Sequence, residues 1–434
     1  MRNQKMVMAF CLAGLTASGL ASADTQFNFS GFGTLAATHN SSSMADYRAS
    51  IVQPAGAGVS KPWAFGVDSK AGAQVTANMG DGWSAVVQVV ADHHYDNTYR
   101  PQFEWANLKY QFSPNWYVRA GRVVAPVFLV SDYRNVGFAQ TAVRQPYDVY
   151  EMNPLTHLDG GDIGAQYAVA GGTLSAQLTL GKAMEYAAIN TPEFKASGNF
   201  ASISGPAALF NLTYERSGST LRAGYGKYRL GVHTNIAAFN LYDVALKAYQ
   251  TAAPDYDSNL KLQRDDSSMW TFGYAYDDGP WLLQSEFAKS SARNILIPNQ
   301  VAWYALGGYR VGKFTPYASF SKIQAMPRPF NRPDATRCGA VPGCAFGTVV
   351  IATVDSGLTV VREQSTIAVG TRYDFYRNLA FKAQIEHIRK PAMNQPNRGL
   401  FVNEYRDLSV SPRSTWLTQG HSVNLLTLAL DFVF

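Results

Sequence analysis

The chain has 434 residues, of which 47% are hydrophobic and only 16% are charged. Its formal net charge of +6 is small for this length. No basic run is interleaved with aromatic residues, so the composition gives no support for nucleic-acid binding. Beyond the N-terminal segment there is no uninterrupted apolar run long enough for a transmembrane helix.

The N-terminal segment has the layout of a secretory signal peptide. Arg2 and Lys5 precede an apolar run over residues 6–15, and Ala21, Ser22 and Ala23 form a small-residue cleavage site. A membrane anchor is the alternative, but this run is too short to span a bilayer. We predict a signal peptide over residues 1–23, cut between Ala23 and Asp24, and a single domain over residues 24–434.

The rest of the chain alternates apolar and polar residues in short runs, which is typical of strands with two different faces. Residues 173–180 are the clearest case, because every even position is apolar and every odd position is polar. The predicted strands cover residues 25–38, 64–79, 83–95, 103–112, 116–125, 162–169, 173–180, 207–216, 220–228, 269–276, 281–290, 301–309, 314–322, 364–373, 379–388 and 421–434.

About sixteen strands of roughly ten residues suit tilted strands that cross a membrane. Short turns and longer loops alternate between them, as they do in outer-membrane barrels. We therefore predict an all-β fold, a transmembrane antiparallel β-barrel wide enough to hold an aqueous channel. A hairpin hidden in residues 231–266 would raise the number of strands to eighteen.

The segment over residues 126–160 interrupts the alternation. It carries a series of apolar and aromatic side chains, namely Val127, Phe128, Leu129, Tyr133, Phe138, Tyr147 and Tyr150. A loop in water would gain little from them, whereas a loop packed against an inner wall buries them. We predict that this segment folds into the lumen and narrows it.

Two of the three cysteines lie close together in a Gly- and Pro-rich stretch. Cys338 and Cys344 are six positions apart, and Cys11 belongs to the signal segment. Disulfides persist in exported proteins, so we predict a bond between Cys338 and Cys344 in an extracellular loop. A metal site is the weaker alternative, because no histidine or further cysteine lies beside them.

The chain ends in an alternating strand whose last residue is Phe434. From Leu426 onward the even positions are apolar, and the odd positions include Asp431. A terminal phenylalanine on such a strand resembles the assembly signal of bacterial outer-membrane barrels. With the signal peptide, it predicts export to the outer membrane of a Gram-negative bacterium.

The whole pattern resembles the general (trimeric) porin superfamily of proteobacterial outer membranes. The most specific stretch is residues 103–167, which includes FEWANLKYQFSPNWYVRAGR and SDYRNVGFAQTAVRQPYDVYEMNPLTHLDGGDIGAQY. It is similar to a porin-like subfamily for which no substrate can be named. The resemblance implies a homotrimer and a constriction loop at residues 126–160. The chain lacks the Pro-Glu-Phe-Gly-Gly motif common in enteric porins.

Charged residues on the predicted loop and the facing wall are the candidate constriction residues. The loop carries Asp132, Arg134, Arg144, Asp148, Glu151 and Asp159, and the wall carries Lys70, Lys109 and Arg119. Arg122 breaks the alternation, and a bulge or the end of the strand would turn it inward. Acids opposite bases would create a transverse field that selects solutes by charge. The alternative is that these charges pair with each other and fix the loop in place.

The predicted function is passive diffusion of small hydrophilic solutes through a water-filled porin, without catalytic residues, metal or cofactor. A substrate-selective channel is the alternative, and a barrel hydrolase or a surface adhesin is less favoured. His93 and His94 do not suggest a metal site, because neighbours on a strand point to opposite faces. The predicted partners are outer-membrane lipid, lipopolysaccharide and two further copies of the chain, with no nucleic acid.

Overall fold

The computed structural model describes residues 25–188, 200–234, 237–260, 265–293, 299–326, 331–358, 361–394, 397, 399–402, 416 and 418–434. The predicted signal peptide and its cleavage site at Ala23 and Asp24 lie outside these residues. In the described part, sixteen long antiparallel strands form a closed barrel, which confirms the predicted fold class. No helix among the described residues is both long enough and apolar enough to cross a membrane.

The alternating segments of the sequence form the barrel wall. In chain order the strands are β1 (Gln26–Asn40), β2 (Lys70–Gly80), β3 (Trp83–Ala91), β4 (Gln102–Gln111), β5 (Trp116–Val124), β6 (His157–Val169), β7 (Gly172–Ala188), β8 (Phe200–Arg216), β9 (Ser219–Thr234), β10 (Asp265–Asp278), β11 (Trp281–Ala292), β12 (Gln300–Tyr309), β13 (Phe314–Ala325), β14 (Gln364–Tyr376), β15 (Leu379–Lys390) and β16 (His421–Val433). Three further pieces of strand have two residues each, Asp46–Tyr47, Trp63–Ala64 and Phe401–Val402.

The barrel closes between the first and the last strand. β1 pairs with β2 on one side and with β16 on the other, with Phe32 opposite Val433 and Asn40 opposite Leu425. The terminal residue extends this seam, because Phe434 and Gly31 exchange backbone hydrogen bonds of 2.9 and 3.0 Å. Closure leaves no unpaired sheet edge.

The two faces of the wall differ as the alternation predicts. In β16, Leu428 points outward and is 37% exposed, whereas Asp431 points inward and is 0% exposed. Thr34 of β1 donates a 2.5 Å hydrogen bond to Asp431. Apolar side chains predominate on the outer face and polar side chains on the inner face, an arrangement that suits lipid outside and water inside.

The two ends of the barrel also differ. At one end, here called the turn end, short turns join the strands, and Ser217 and Gly218 form a two-residue turn with φ values of 46° and 74°. The other end, called the loop end, carries the long connections. One of these, between β5 and β6, folds into the lumen and is called the inserted loop (residues 125–156). It ends at Thr156 rather than at Gly160, because β6 begins at His157.

The inserted loop contains one short helix, α1 (Tyr147–Tyr150). Two longer helices, α2 (Ala237–Ala252) and α3 (Cys344–Leu358), lie in two other connections at the loop end and pack against each other. α2 occupies most of the stretch in which a further hairpin is the alternative, so the described residues give the barrel sixteen strands. Cys338 and Cys344 are bonded to each other at the start of α3, with their Cα atoms 5.4 Å apart.

A row of basic residues lies on the outer face near the loop end and is called the basic belt. It consists of Lys182, Lys227, Arg229, Lys289, Lys322 and Arg389. Their outward direction follows from the register, since Lys289 pairs with Trp270 and Lys322 with Trp303, both exposed on the outer face. The outer face of β2, by contrast, contains small residues such as Ala71 and Ala73.

Candidate functional site

The inserted loop crosses the lumen and is hydrogen-bonded to inward-facing side chains of the opposite wall. These bonds run from Arg222 to the Pro126 carbonyl (2.8 Å), from Thr271 to the Val127 carbonyl (2.9 Å), and from Lys382 to the carbonyls of Gly137 (2.8 Å) and Ala142 (3.0 Å). The prediction that this segment folds into the lumen is therefore confirmed.

Apolar packing holds the first part of the loop. Phe128 and Tyr150 are buried with wall residues that include Leu209 and Tyr304. The hydroxyl groups of Tyr150 and Tyr304 both donate to Glu286, and Glu286 also accepts the Leu129 backbone N–H at 2.8 Å. Phe128 and Tyr150 are therefore buried inside the barrel as the sequence predicted. Tyr133 is not, because it is 41% exposed.

The tip of the loop approaches the seam closely. A Cβ atom added at Gly137 would lie 2.3 Å from Asp431 Oδ1 and 2.4 Å from Thr34 Oγ1. Lys382 Nζ lies 2.8 Å from Asp431 Oδ2 and is fully buried beneath the same turn. The absence of a side chain at Gly137 lets the backbone reach these polar groups.

Arg144 is the central charge of the loop. Its Nε donates to Asp68 at 2.9 Å, its Nη2 donates to Thr427 at 2.7 Å, and its Nη1 contacts Glu386. Burial alone would raise the pKa of Asp68, but the guanidinium of Arg144 outweighs this effect and holds the pKa below its usual value. Arg144 thus joins the inserted loop, the connection before β2, and the wall.

Asp148 and Glu151 are also buried, at 2% and 3% exposure. Asp148 accepts hydrogen bonds from Ser321 and from Gln364, the latter at 2.8 Å. Burial raises the pKa of Asp148, and hydrogen bonds offset only part of this rise. Glu151 accepts the Ile51 N–H at 2.7 Å.

Arg134 is the remaining paired charge of this part of the loop, with its Nη2 3.0 Å from Glu151 Oε1. Arg134, Arg144, Asp148 and Glu151 are therefore bonded within the protein. This arrangement favours the alternative considered from the sequence, in which loop charges pair and fix the loop.

Other predicted residues lie in the lumen with more access to water. Arg119 forms a two-pronged ion pair with Asp162, at 2.9 and 2.7 Å. Lys109 of β4 lies opposite Arg119 of the adjacent strand β5. Its Nζ lies 4.5 Å from the centre of the Tyr117 ring. Asp132 is exposed on the inserted loop. These residues are the described charges best placed to act on a passing solute.

Arg122 and Asp159 do not face the lumen, contrary to their assignment from the sequence. The register of β5 and β6 is regular, so Arg122 stays on the face of Val118, and Asp159 stays on the face of Ile163. Both of those apolar residues are exposed on the outer wall. Arg122 Nε lies 2.7 Å from Asp159 Oδ1. No bulge turns Arg122 inward, and Asp159 belongs to a strand rather than to the loop.

Sequence reasoning missed the wall residues that hold the loop, namely Glu286, Lys382 and Glu386. Lys382 and Glu386 alternate in β15 with the outward residues Phe381 and Ile385. A charge at an inward position next to an apolar outward residue is a signal that was available. Their partners, however, are more than 130 positions away in the chain.

A polar cavity of about 150 Å³ lies between the inserted loop, the connection after β1, and the wall of β2 to β7. Lys70, Asp92, Glu104, His157 and Glu185 are among its lining residues. Within the described ranges, no group of three or more His, Cys, Asp or Glu side chains could hold a metal ion.

No protein-family model matches the chain, and no curated protein matches it. Among solved structures it is similar to the anion-selective porin from Comamonas acidovorans, with a TM-score of 0.50, 11% identity and coverage of 95% of this chain and 100% of that one. It is also similar to the outer-membrane expressed OmpT of Vibrio cholerae, with a TM-score of 0.47, 12% identity and coverage of 96% and 99%. A variant of the Rh. blastica porin gives a TM-score of 0.45, 9% identity and coverage of 94% and 100%. At 11% identity the likeness to the Comamonas porin concerns the fold alone, which is that of a porin-like barrel.

Proposed function

We propose that the protein is an outer-membrane porin, a water-filled channel through which small hydrophilic solutes diffuse without a cofactor. The observation that carries this proposal is a closed sixteen-stranded barrel with an apolar outer face and a polar loop inside its lumen. A barrel of this width holds an aqueous channel, and a loop that narrows it sets the size of solute that passes. The role proposed here is passive and includes no catalytic activity.

Single-channel recording in planar bilayers tests the proposal. We expect open steps of defined size from folded protein, and no steps from the same sample after heat denaturation. Folded, heat-modifiable protein that gives no conductance at any voltage would contradict it.

A substrate-selective channel is the second candidate, and the charged cavity beside the inserted loop favours it. A selective channel saturates as solute concentration rises, whereas a general porin does not. Concentration-dependent current noise or block by one class of solute would therefore distinguish the two.

We further propose that three copies assemble in the outer membrane of a Gram-negative bacterium, in contact with lipid and lipopolysaccharide. Small outward residues on β2, such as Ala71 and Ala73, and the outward Leu426 and Leu428 on β16 support a flat protein contact around the seam. Crosslinking of protein extracted in mild detergent should give a trimer. Monomers alone under these conditions would contradict the assembly.

A further inference from the structure

The cavity beside the inserted loop is large enough for a small solute. Its volume of about 150 Å³ is similar to that of an engineered protein cavity of ~150 Å³ that binds benzene. A solute of about six non-hydrogen atoms therefore fits. The lining, however, is polar and charged rather than apolar, so the solute must carry groups that can replace water at those charges.

Most charges in the cavity already have a partner. Arg144 pairs with Asp68, and Arg134 pairs with Glu151 at 3.0 Å. Asp92 and Glu104 each lie beside a histidine, His94 at 3.3 Å and His157 at 3.7 Å, and these contacts are ion pairs only when the histidine is protonated.

Two lining residues of opposite charge remain outside these pairs. Within the described part of the chain, neither Lys70 nor Glu185 has an oppositely charged group within 4.0 Å. Glu185 accepts the Tyr186 N–H at 2.9 Å. Asp92 interacts electrostatically with both Lys70 and Glu185 at longer range. Lys70 and Glu185 therefore act on the same part of the cavity.

Both residues have charged neighbours of either sign at longer range. Among these neighbours, Asp92 and Asp68 have the largest effects on Lys70, followed by Arg134. His157 has the largest effect on Glu185, followed by Glu104 and Asp92. A molecule with one charge of each sign can pair with Lys70 and with Glu185 at once, whereas a simple ion can pair with only one of them.

One histidine of the cavity lining has a ring nitrogen without a hydrogen-bond partner in the described structure. His93 lines the cavity and is 7% exposed, and its Nε2 is bonded to Asn97 at 2.8 Å. Its Nδ1 has no hydrogen-bond partner in the described structure. A buried polar atom without a partner costs free energy that a bound solute or water can recover.

We propose that this cavity binds small zwitterions, with the solute carboxylate directed to Lys70 and its ammonium group directed to Glu185. The proposal rests on the channel function proposed above and names the class of solute that the channel favours. The volume of the cavity and the charges of Lys70 and Glu185 together fit a small amino acid.

Uptake by proteoliposomes tests the site with two isomeric probes. L-alanine is a zwitterion, and lactamide is an uncharged molecule with the same atoms. At low concentration we expect alanine uptake to exceed lactamide uptake about fivefold, as two partly screened ion contacts allow. Excess unlabelled alanine should compete with labelled alanine, and excess lactamide should not. This competition uses only the wild-type protein, so it does not depend on any variant folding.

Variants then locate the site. Lys70→Gln and Glu185→Gln should each bring the alanine-to-lactamide ratio close to one. Lys313→Gln and Glu215→Gln each remove one exposed charge at the turn end, away from the cavity, and should leave the ratio high. Equal uptake of both probes by the wild type, or a high ratio in both cavity variants, would overturn the proposal. Equal uptake with normal conductance contradicts the zwitterion site alone, whereas absent conductance and uptake contradict the channel itself.

Discussion

Arg144 shows how one side chain can hold a loop inside a barrel. It faces two carboxylates, Asp68 and Glu386, and all three groups are buried. Removing the cation from such a group leaves two buried anions without compensation, which costs about 3–5 kcal/mol. The loop position therefore depends on this residue more than on any exposed charge of the lumen.

The first prediction concerns Arg144→Gln. The variant should release the inserted loop, because Asp68 and Glu386 then repel each other. Limited proteolysis should cut within residues 125–156, and single-channel currents should become larger and noisier. Arg119→Gln is the matched control, since Arg119 pairs with Asp162 on the wall and should shift ion selectivity toward cations without exposing the loop. Equal protease resistance of Arg144→Gln and the wild type would contradict this role.

The second prediction concerns the loss of the ion pair between Arg144 and Asp68 at low pH. The pKa of Asp68 is lowered in the folded state, so its stabilising effect is present above the unfolded value of about 4 and is lost as the pH falls through the folded pKa. Channel noise in the wild type should therefore increase below about pH 4. Arg144→Gln should be noisy at neutral pH and in acid alike. A wild type whose noise does not rise as the pH is lowered step by step below about 4 would oppose this account.

The pKa of Asp148 is shifted in the opposite direction from that of Asp68, which gives the third prediction. Its pKa is raised by burial, so its contribution to stability is complete below about pH 4 and decreases as the pH rises through the folded pKa. Asp148→Asn imitates the protonated group. The variant should unfold at the same or a higher temperature than the wild type at pH 7, with a smaller difference at pH 4. A clear loss of stability at pH 7 would refute this prediction.

At the scale of elements, α2 and α3 form a unit beside the barrel rather than part of its wall. Tyr242 of α2 and Ile351 of α3 are buried between them, and Gly347 of α3 lies so close to α2 that an added Cβ would be 2.8 Å from the Ala245 carbonyl oxygen. The disulfide between Cys338 and Cys344 joins the start of α3 to the preceding turn. The unit can therefore loosen without opening the barrel.

The fourth prediction follows from this separation. Replacing Cys338 and Cys344 by serine should destabilise the helical unit by about 2 kcal/mol, the loop-entropy value for so short a closed segment. Proteolysis should then cut near α3, while the heat-modifiable migration of the barrel stays unchanged. Peptide mass spectrometry of unreduced wild-type protein should show one disulfide, and two free thiols would contradict it.

The elements differ in how far the sequence could predict them. Alternation predicted strands such as residues 173–180, because a wall between lipid and water requires one polarity on each face. The bounds of β6 and the helix α2 were missed, since a short apolar run does not distinguish a strand from a helix. The partners of Arg144 could not be predicted, because Asp68 and Glu386 meet it only after the barrel closes. Their distances along the chain are 76 and 242 positions.

At the scale of the whole molecule, the outer wall has two kinds of surface. The basic belt places Lys322 and Arg389 on either side of Ser365, with both side chains outward. Positive charge at the edge of an apolar band attracts anionic lipid headgroups. The surface around β2, with its small residues, suits contact between subunits instead.

The fifth prediction tests the basic belt. Lys322→Gln combined with Arg389→Gln should reduce the amount of phosphate-bearing lipopolysaccharide that stays bound after detergent extraction. Lys109→Gln is the control, because it removes a lysine from the lumen and should leave the bound lipid unchanged. Equal lipid content in all three proteins would show that the belt does not bind these headgroups.

The seam between β1 and β16 has a consequence for how the protein is made. The ring of Phe434 covers Gly31, and the ring of Phe432 covers Gly33, so closely that an added Cβ would lie 2.2 and 2.3 Å from ring atoms. These contacts join the beginning of the wall to its very last residue. The ring of strands therefore cannot close before β16 has been made, because β1 needs β16 as its partner on that side. Closure is the last step that this topology allows in the assembly of the wall.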